Sequence, residues 1–456
     1  MGEKELSVDD ALKFAVEKHN QTSLREAEEI YRKILEKQPD NPNALHLLGL
    51  IMHQSGKNDE AINLIKKAIS FNPSAMYYGN LGMIYDFLGN EEKSAECFEK
   101  ALEINPNYGN AHFAYYNLGV FCKEKGEFEE ALTHFDRAIE IDKNFYDARW
   151  NRSLVLLLLG RFKEGWEEYE YRFKKKSPTD SRIFNKPKWN GEQLSGKRIL
   201  IVSEQGFGDN IQFIRYAKLI KEKEAYVILE CRKELVPLFK QMPEIDEIVE
   251  KKANAVPKID FDFYIHLMSL PRMFNTEIST IPNKISYLKT DKILVDKFSK
   301  IIRSDKFKIG IVWAGNPKQE DDWKRSVAFD KFRILLGISG IEFFSLQKEI
   351  IDDEIEDLEI TDLSEYLYDF ADTAAIIENL DLVISVDTSV AHLAGALGKP
   401  TWILLSHIPD WRWMLNRNDS PWYPSTRLFR QPKPGDWDSV FREVEDELIK
   451  LTEKYC

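Results

Sequence analysis

A small residue recurs through the first third of the chain at a nearly fixed interval: Ala27, Ala61, Ser94, Ala131 and Gly165, at steps of 34, 33, 37 and 34 residues. Self-similarity of that length restricts this region to a stack of like units, because one such unit cannot bury its own apolar face. Other positions keep the same period. Ala68, Ala101 and Ala138 follow the middle three by seven residues, Leu48-Gly49, Leu81-Gly82 and Leu118-Gly119 mark an earlier segment of each unit, and Pro39, Pro73 and Pro106 close three of them. Small residues let two helices approach closely. Gly56, Gly89, Gly126 and Gly160 fall at the turns between helices, and proline, which cannot continue a helix, ends a unit.

These residues resemble the tetratricopeptide repeat. About five units are predicted over residues 6–174, forming an all-α solenoid with a concave groove. A groove of that sort implies a protein or peptide partner, with oligomerisation or a purely structural role as the alternative. The 37-residue step puts extra residues in 107–116, as a longer loop or helix start.

With 456 residues the chain exceeds a single core. Its net charge of -13 argues against nucleic acid as the main partner, since a phosphate-tracking surface carries a basic surplus. The four cysteines, Cys97, Cys122, Cys231 and Cys456, have no CxxC spacing and are expected as free thiols in a reducing compartment. No apolar signal segment opens the chain and no run approaches the ~20 residues that span a bilayer, which places the protein in the cytoplasm.

After the repeats, residues 177–196 are rich in Pro, Asn, Lys and Gly and read as a linker. Short apolar runs then alternate with helical sequence at 198–203, 226–230, 261–267, 309–313, 341–346, 382–386 and 401–405. That alternation predicts parallel sheets in two Rossmann-like halves, 197–300 and 301–456, behind a repeat region of 1–176. Ligands of such sheets bind in loops at the carboxyl ends of the strands.

Four loops there are candidates. Glu204-Gln205-Gly206-Phe207-Gly208-Asp209 follows the first strand; Gly206 and Gly208 permit close approach to a ligand, and Asp209 falls where a helix N-cap would be. Asp387-Thr388-Ser389 ends a buried strand and opens a nearly uncharged helix whose free N–H groups suit phosphate, with His392 one turn on from Thr388. Asn316 lies in Trp313-Ala314-Gly315-Asn316-Pro317, shortly before Lys324-Arg325-Ser326. Gln347 follows another strand. A fifth segment, 409–424, sets aromatics beside charges: its rings suit sugar stacking or plain packing, and Arg412 suits a phosphate fork. Asp260-Phe261-Asp262 has the DxD shape of metal-dependent sugar transferases, but it lies in an apolar run. There is no HExxH, P-loop or GxSxG, and the eight histidines lack ligand spacing.

Taken in order, QGFGDNIQF, HLMSLP, IVWAGNP, KRS, FFSLQK, DFADTAA, DLVISVDTSVAHLAGALGKP, PDWRW and DSPWYP resemble the bacterial tetratricopeptide-fused glycosyltransferases related to the lipopolysaccharide heptosyltransferases. In architecture alone the chain is also similar to O-linked N-acetylglucosamine transferase and to flagellin glycosyltransferases. The resemblance implies a GT-B fold and inverting transfer from a nucleotide-sugar, with no cofactor and no essential metal. It implies Asp209 as general base, Thr388, Ser389 and His392 around the donor diphosphate, Asn316 and Arg325 on the donor side, and Gln347 near the nucleotide. Asp322-Trp323-Lys324 departs from the polar Arg-Asn type stretch usual before Arg325. The expected acceptor is a protein held by the repeats; a glycan or lipid acceptor, or a repeat scaffold with an inactive transferase fold, are the alternatives.

Overall fold

The computed structural model describes residues 7–319, 322–348 and 359–453. It forms two compact units, Met1–Val155 and Leu156–Cys456.

The first unit is a run of helix pairs: α1 (Val8–Asn20) with α2 (Leu24–Lys37), α3 (Pro42–Gln54) with α4 (Asn58–Phe71), α5 (Ala75–Phe87) with α6 (Glu91–Ile104), and α7 (Ala111–Lys125) with α8 (Phe128–Ile141). Local chemistry sets the ends. Asn41 accepts from the Ala44 N–H at 3.0 Å while Pro42 occupies the first turn of α3, where its missing N–H costs nothing. Gly56, Gly89 and Gly126 turn the chain at φ +78°, +70° and +83°, a region other residues enter only with strain. The recurring Leu-Gly glycines have a different reason. A Cβ on Gly49, Gly82 or Gly119 would stand 2.7, 2.9 or 2.6 Å from Ile65, Phe98 or Phe135 on the paired helix. The extra residues of the long step lie in the loop before α7, where Tyr108 is buried against Gly79.

The sequence places the end of the array at 176, but the first compact unit ends at Val155. The fifth pair is split: α9 (Tyr146–Leu158) crosses the boundary and α10 (Phe162–Tyr169) lies wholly in the second unit. Phe162, Trp166 and Tyr169 share one face of α10 and are buried; the Trp166 indole donates to Thr276 O at 3.1 Å and meets Trp411 edge-on at 5.3 Å. The stretch read as a linker is likewise anchored. Trp189 is buried, its N–H donates to Tyr264 O at 2.8 Å, and Arg182 forks onto Glu230 at 2.8 and 2.9 Å.

The second unit holds two parallel sheets. β1 (Arg198–Val202), β2 (Tyr226–Cys231), β3 (Glu247–Glu250) and β4 (Phe263–His266) are ordered β3-β2-β1-β4. β5 (Phe307–Val312), β6 (Ile341–Ser345), β7 (Ile360–Asp362), β8 (Leu382–Val386), β9 (Thr401–Leu405) and β10 (Thr426–Arg430) are ordered β10-β9-β8-β5-β6-β7. This is the α/β architecture expected after the repeats. β8 is apolar but for Ser385 and buried at every residue, as a central parallel strand covered on both faces must be. Cys97, Cys122 and Cys231 are buried free thiols; Cys456 lies outside the described residues. Among the described residues no helix is long and apolar enough to cross a membrane.

Candidate functional site

Strand order reverses once in each sheet, between β1 and β4 and between β5 and β8. Loops leaving the carboxyl ends of such strands diverge and open a crevice. The loop after β1 carries Asp209, and the loops after β5 and β8 carry Asn316 and Asp387–Ser389.

Asp209 is not the N-cap of its helix. Gly206 caps the helix Phe207–Phe213, and Asp209 is its third residue, with Oδ2 accepting from the Gly206 N–H at 2.7 Å. The strained backbone of this turn falls on neither glycine: Gln205 takes φ +59°, while Gly206 is extended. Gly208 is needed for packing instead. A Cβ there would stand 2.7 Å from Cδ2 of His392, so the backbone of the 207–213 helix lies directly on that imidazole.

The other oxygen of Asp209 pairs with Arg412, whose guanidinium also donates to Asp410 at 2.8 Å. Arg412 is buried and lies 4.3 Å over the Trp411 ring. Its fork, expected to face phosphate, is thus shared by two carboxylates. Burial raises the Asp209 carboxyl above its ordinary value against the opposing pull of Arg412, which strengthens it as a proton acceptor.

Beside it stands the helix Ser389–Leu397, nearly all of it buried. Thr388 caps this helix without a side-chain hydrogen bond, its hydroxyl instead bonding Ser385 at 2.9 Å. The ladder begins with the His392 N–H on Thr388 O at 3.3 Å, which leaves the N–H groups of Ser389, Val390 and Ala391 without helical acceptors. His392 is held on three sides: Nδ1 bonds the Tyr423 hydroxyl at 2.9 Å, the ring stacks on Trp413 at 5.1 Å, and Gly208 covers Cδ2. Burial, with Arg412, Arg215 and Arg325 adding, pushes its pKa well below the usual range, so the ring is neutral. Asp387 lies 3.7 Å from His392 Nε2. Burial and then Asp410 push its carboxyl up to about 6.

Arg325 reaches this strand end by donating to Asp387 O at 3.0 Å, while Asp322 at 3.0 Å and Gln319 at 2.7 Å hold its other nitrogens. Asp322, in the stretch that departs from the family pattern, is therefore the partner that orients Arg325. Gly315 leaves the space: a Cβ there would collide with Asp322 Oδ1. Gln347 is buried and accepts from the Ala314 N–H at 3.1 Å, tying the loop after β6 to the loop after β5. Asn316 is exposed and folds its side chain onto the Lys318 N–H at 3.0 Å.

The aromatic segment takes the packing alternative. Trp411, Trp413, Trp422 and Tyr423 are buried among one another, so they are core and offer no open face for stacking. Asp260 and Asp262 precede β4 and lie at the amino end of the sheet, where Asp262 accepts from the Arg198 N–H at 2.8 Å.

Sequence reasoning missed the charge network beneath the β1 loop. Arg172 is fully buried and forks onto Glu204 at 2.8 and 2.7 Å, with Glu170 at 2.8 Å and Ser269 at 2.9 Å. Glu204 also accepts from the Met268 N–H at 3.1 Å, joining the ends of β1 and β4. Burial opposes ionisation of Glu170, yet Arg172 and Lys188 outweigh it and hold the carboxyl down to about 2. The sequence held part of the signal: Glu204 follows the strand-like run 198–203, a carboxylate buried there needs a cation, and Arg172 stands between Tyr171 and Phe173 in the aromatic segment before it.

Comparison with known proteins agrees with this reading of the fold. Residues 348–409 match glycosyltransferase family 9 (heptosyltransferase), and tetratricopeptide repeat families match residues 21–81, 76–108 and 112–145. Over 443 residues, 90% of this chain and 73% of the relative, the sequence is 27% identical to protein FlbA of Caulobacter vibrioides. The small glutamine-rich tetratricopeptide repeat-containing protein of Dictyostelium discoideum is 43% identical over 58 residues, 12% of this chain and 17% of that one. Among solved structures, MamA is similar with 24% identity and a TM-score of 0.31, over 34% of this chain and 91% of that one. The chain carries tetratricopeptide repeats, and part of its second unit, residues 348–409, matches glycosyltransferase family 9 (heptosyltransferase).

Proposed function

We propose that the chain is an inverting glycosyltransferase that moves a sugar from a nucleotide-sugar to a hydroxyl of a protein or peptide held by its repeats. The observation that carries this reading is the packing of Gly208 on His392, which puts the Asp209 carboxylate and the start of the 389–397 helix at one edge of the crevice. A hydroxyl is a poor nucleophile, so Asp209 takes its proton as the new C–O bond forms on one face of the anomeric carbon. The bond to the diphosphate breaks on the opposite face, and the leaving group carries away the electron pair. Its growing charge is met by the free N–H groups of Ser389 and Val390, the positive end of the helix and the Arg325 guanidinium, so the step calls for no metal or cofactor. Thr388 and Asp387 shape that pocket, Gln347 and Asn316 border the nucleotide side, and Arg412 orients Asp209.

Thermal denaturation of the whole protein with UDP-, ADP-, GDP- and CMP-sugars tests the donor class. A donor at 100 times its Kd should add about 2.7 kcal/mol of stability. The stabilising donor is then incubated with candidate acceptor proteins and with free-sugar acceptors. Transfer to protein alone supports the reading; transfer to free sugars as readily would assign a glycan acceptor. No shift and no consumption of any donor would leave a repeat scaffold.

A further inference from the structure

The repeat array carries a second cluster of reactive groups, unrelated to sugar transfer. Cys122 lies near the end of α7, and Glu130 and His134 lie one turn apart on α8, the helix paired with it. One ligand atom from each of the three falls within 4.8 Å of the others, and among the described residues this is the one such group of three. We propose that Cys122, Glu130 and His134 bind a divalent transition metal ion of the zinc and cobalt class, leaving a fourth position to water.

The donor set selects the ion. A thiolate and an imidazole favour zinc-like metals over magnesium or calcium, which take oxygen. Bonds of about 2.3 Å to sulfur and about 2.0–2.1 Å to nitrogen and oxygen put the ligand atoms of one ion within roughly 4 Å of each other, so small side-chain rotations suffice from the present arrangement. Access and burial also fit. Cys122 is buried, His134 is half-buried and Glu130 is exposed, so an ion enters past the carboxylate. Nδ1 of His134 is buried with no hydrogen-bond partner among the described residues, although buried ring nitrogens ordinarily find one. Burial first, and Glu130 next, hold the Cys122 thiol up to about 12. A bound cation reverses both influences: the thiol proton is released to solvent and the sulfur electron pair is donated to the metal. The ion would then fasten α7 to α8.

The test uses the full chain, reduced and stripped of metal by a chelator, then titrated with Co2+. A thiolate-to-cobalt charge-transfer absorption should rise to saturation at one equivalent and vanish on adding Zn2+. Cys122→Ser should abolish the absorption, and His134→Ala should weaken cobalt binding at least about tenfold with helical circular dichroism unchanged. His134→Ala, at a half-buried position, decides the matter if Cys122→Ser does not fold. Absence of the band in the wild type, its persistence in Cys122→Ser, or unchanged affinity in His134→Ala would each overturn the proposal.

Discussion

Alanine at position 208 probes the contact on which the proposed site is built. The added Cβ would stand 2.7 Å from His392 Cδ2 and 3.3 Å from Nε2, inside the roughly 3.5–4.0 Å optimum for such atoms. The imidazole has little freedom to yield, since Nδ1 is bonded to Tyr423 at 2.9 Å and the ring lies on Trp413. Overpacking of this kind costs about 1–3 kcal/mol, against which alanine regains less than about 1 kcal/mol of helix propensity. The expected net loss is about 1–2 kcal/mol, a fall in Tm of roughly 2–3 °C for a domain of this size. Gly337→Ala is the control, because φ there is -78° and a Cβ would meet nothing within 4 Å; it should be neutral or stabilising by up to about 1 kcal/mol. Both variants are read by thermal circular dichroism, and Gly208→Ala also by donor binding, which should weaken as the 389–397 helix shifts. A Gly208→Ala protein that melts at or above the wild type would show that the helix does not rest on this imidazole.

Arg172→Met leaves the buried Glu204 without its cation and should cost about 3–5 kcal/mol in urea denaturation; a loss under about 1 kcal/mol would show that the network is not held by this pair. The Asp387 carboxyl, raised to about 6 by burial and Asp410, is neutral below that pH and anionic above it. Binding of an anionic donor should therefore weaken as pH rises from about 5 to about 7.5, and Asp387→Asn should flatten that dependence; equal slopes in both proteins would contradict the placement of the diphosphate beside it.

The array and the central strands were legible in the sequence because both write a strong period. Glycine and alanine recur wherever two helices touch, and β1, β5 and β8 are apolar but for Arg198, Lys308 and Ser385. What stayed hidden depends on partners distant in sequence. β3, β7 and β10 were not predicted: each lies at a sheet edge, and their sequences, EIVE, ITD and TRLFR, mix charge with apolar residues as half-covered strands do. The array's end was drawn at 176, whereas the compact units divide at Val155: α10 has the composition of a repeat helix, and its burial against Thr276 and Trp411 could not be read from sequence. Asp209, Thr388 and His392 were picked out from their strand ends, and the structure brings their loops together. The clamp on Asp209 was not legible, because Arg412 is 203 residues away, and Gly208 was read as a ligand-approach glycine when it faces His392.

Proton transfer in the proposed mechanism depends on Asp209. The direct measurement is transfer by Asp209→Asn, at saturating concentrations of whichever nucleotide-sugar stabilises the wild type, together with the Kd of that donor. Asparagine keeps the size of the side chain and lacks the basic oxygen, while Arg412 retains Asp410 at 2.8 Å. Turnover should fall about 10²–10⁴-fold with donor affinity within about threefold of the wild type; an Asp209→Asn protein that transfers sugar at the wild-type rate would contradict the mechanism.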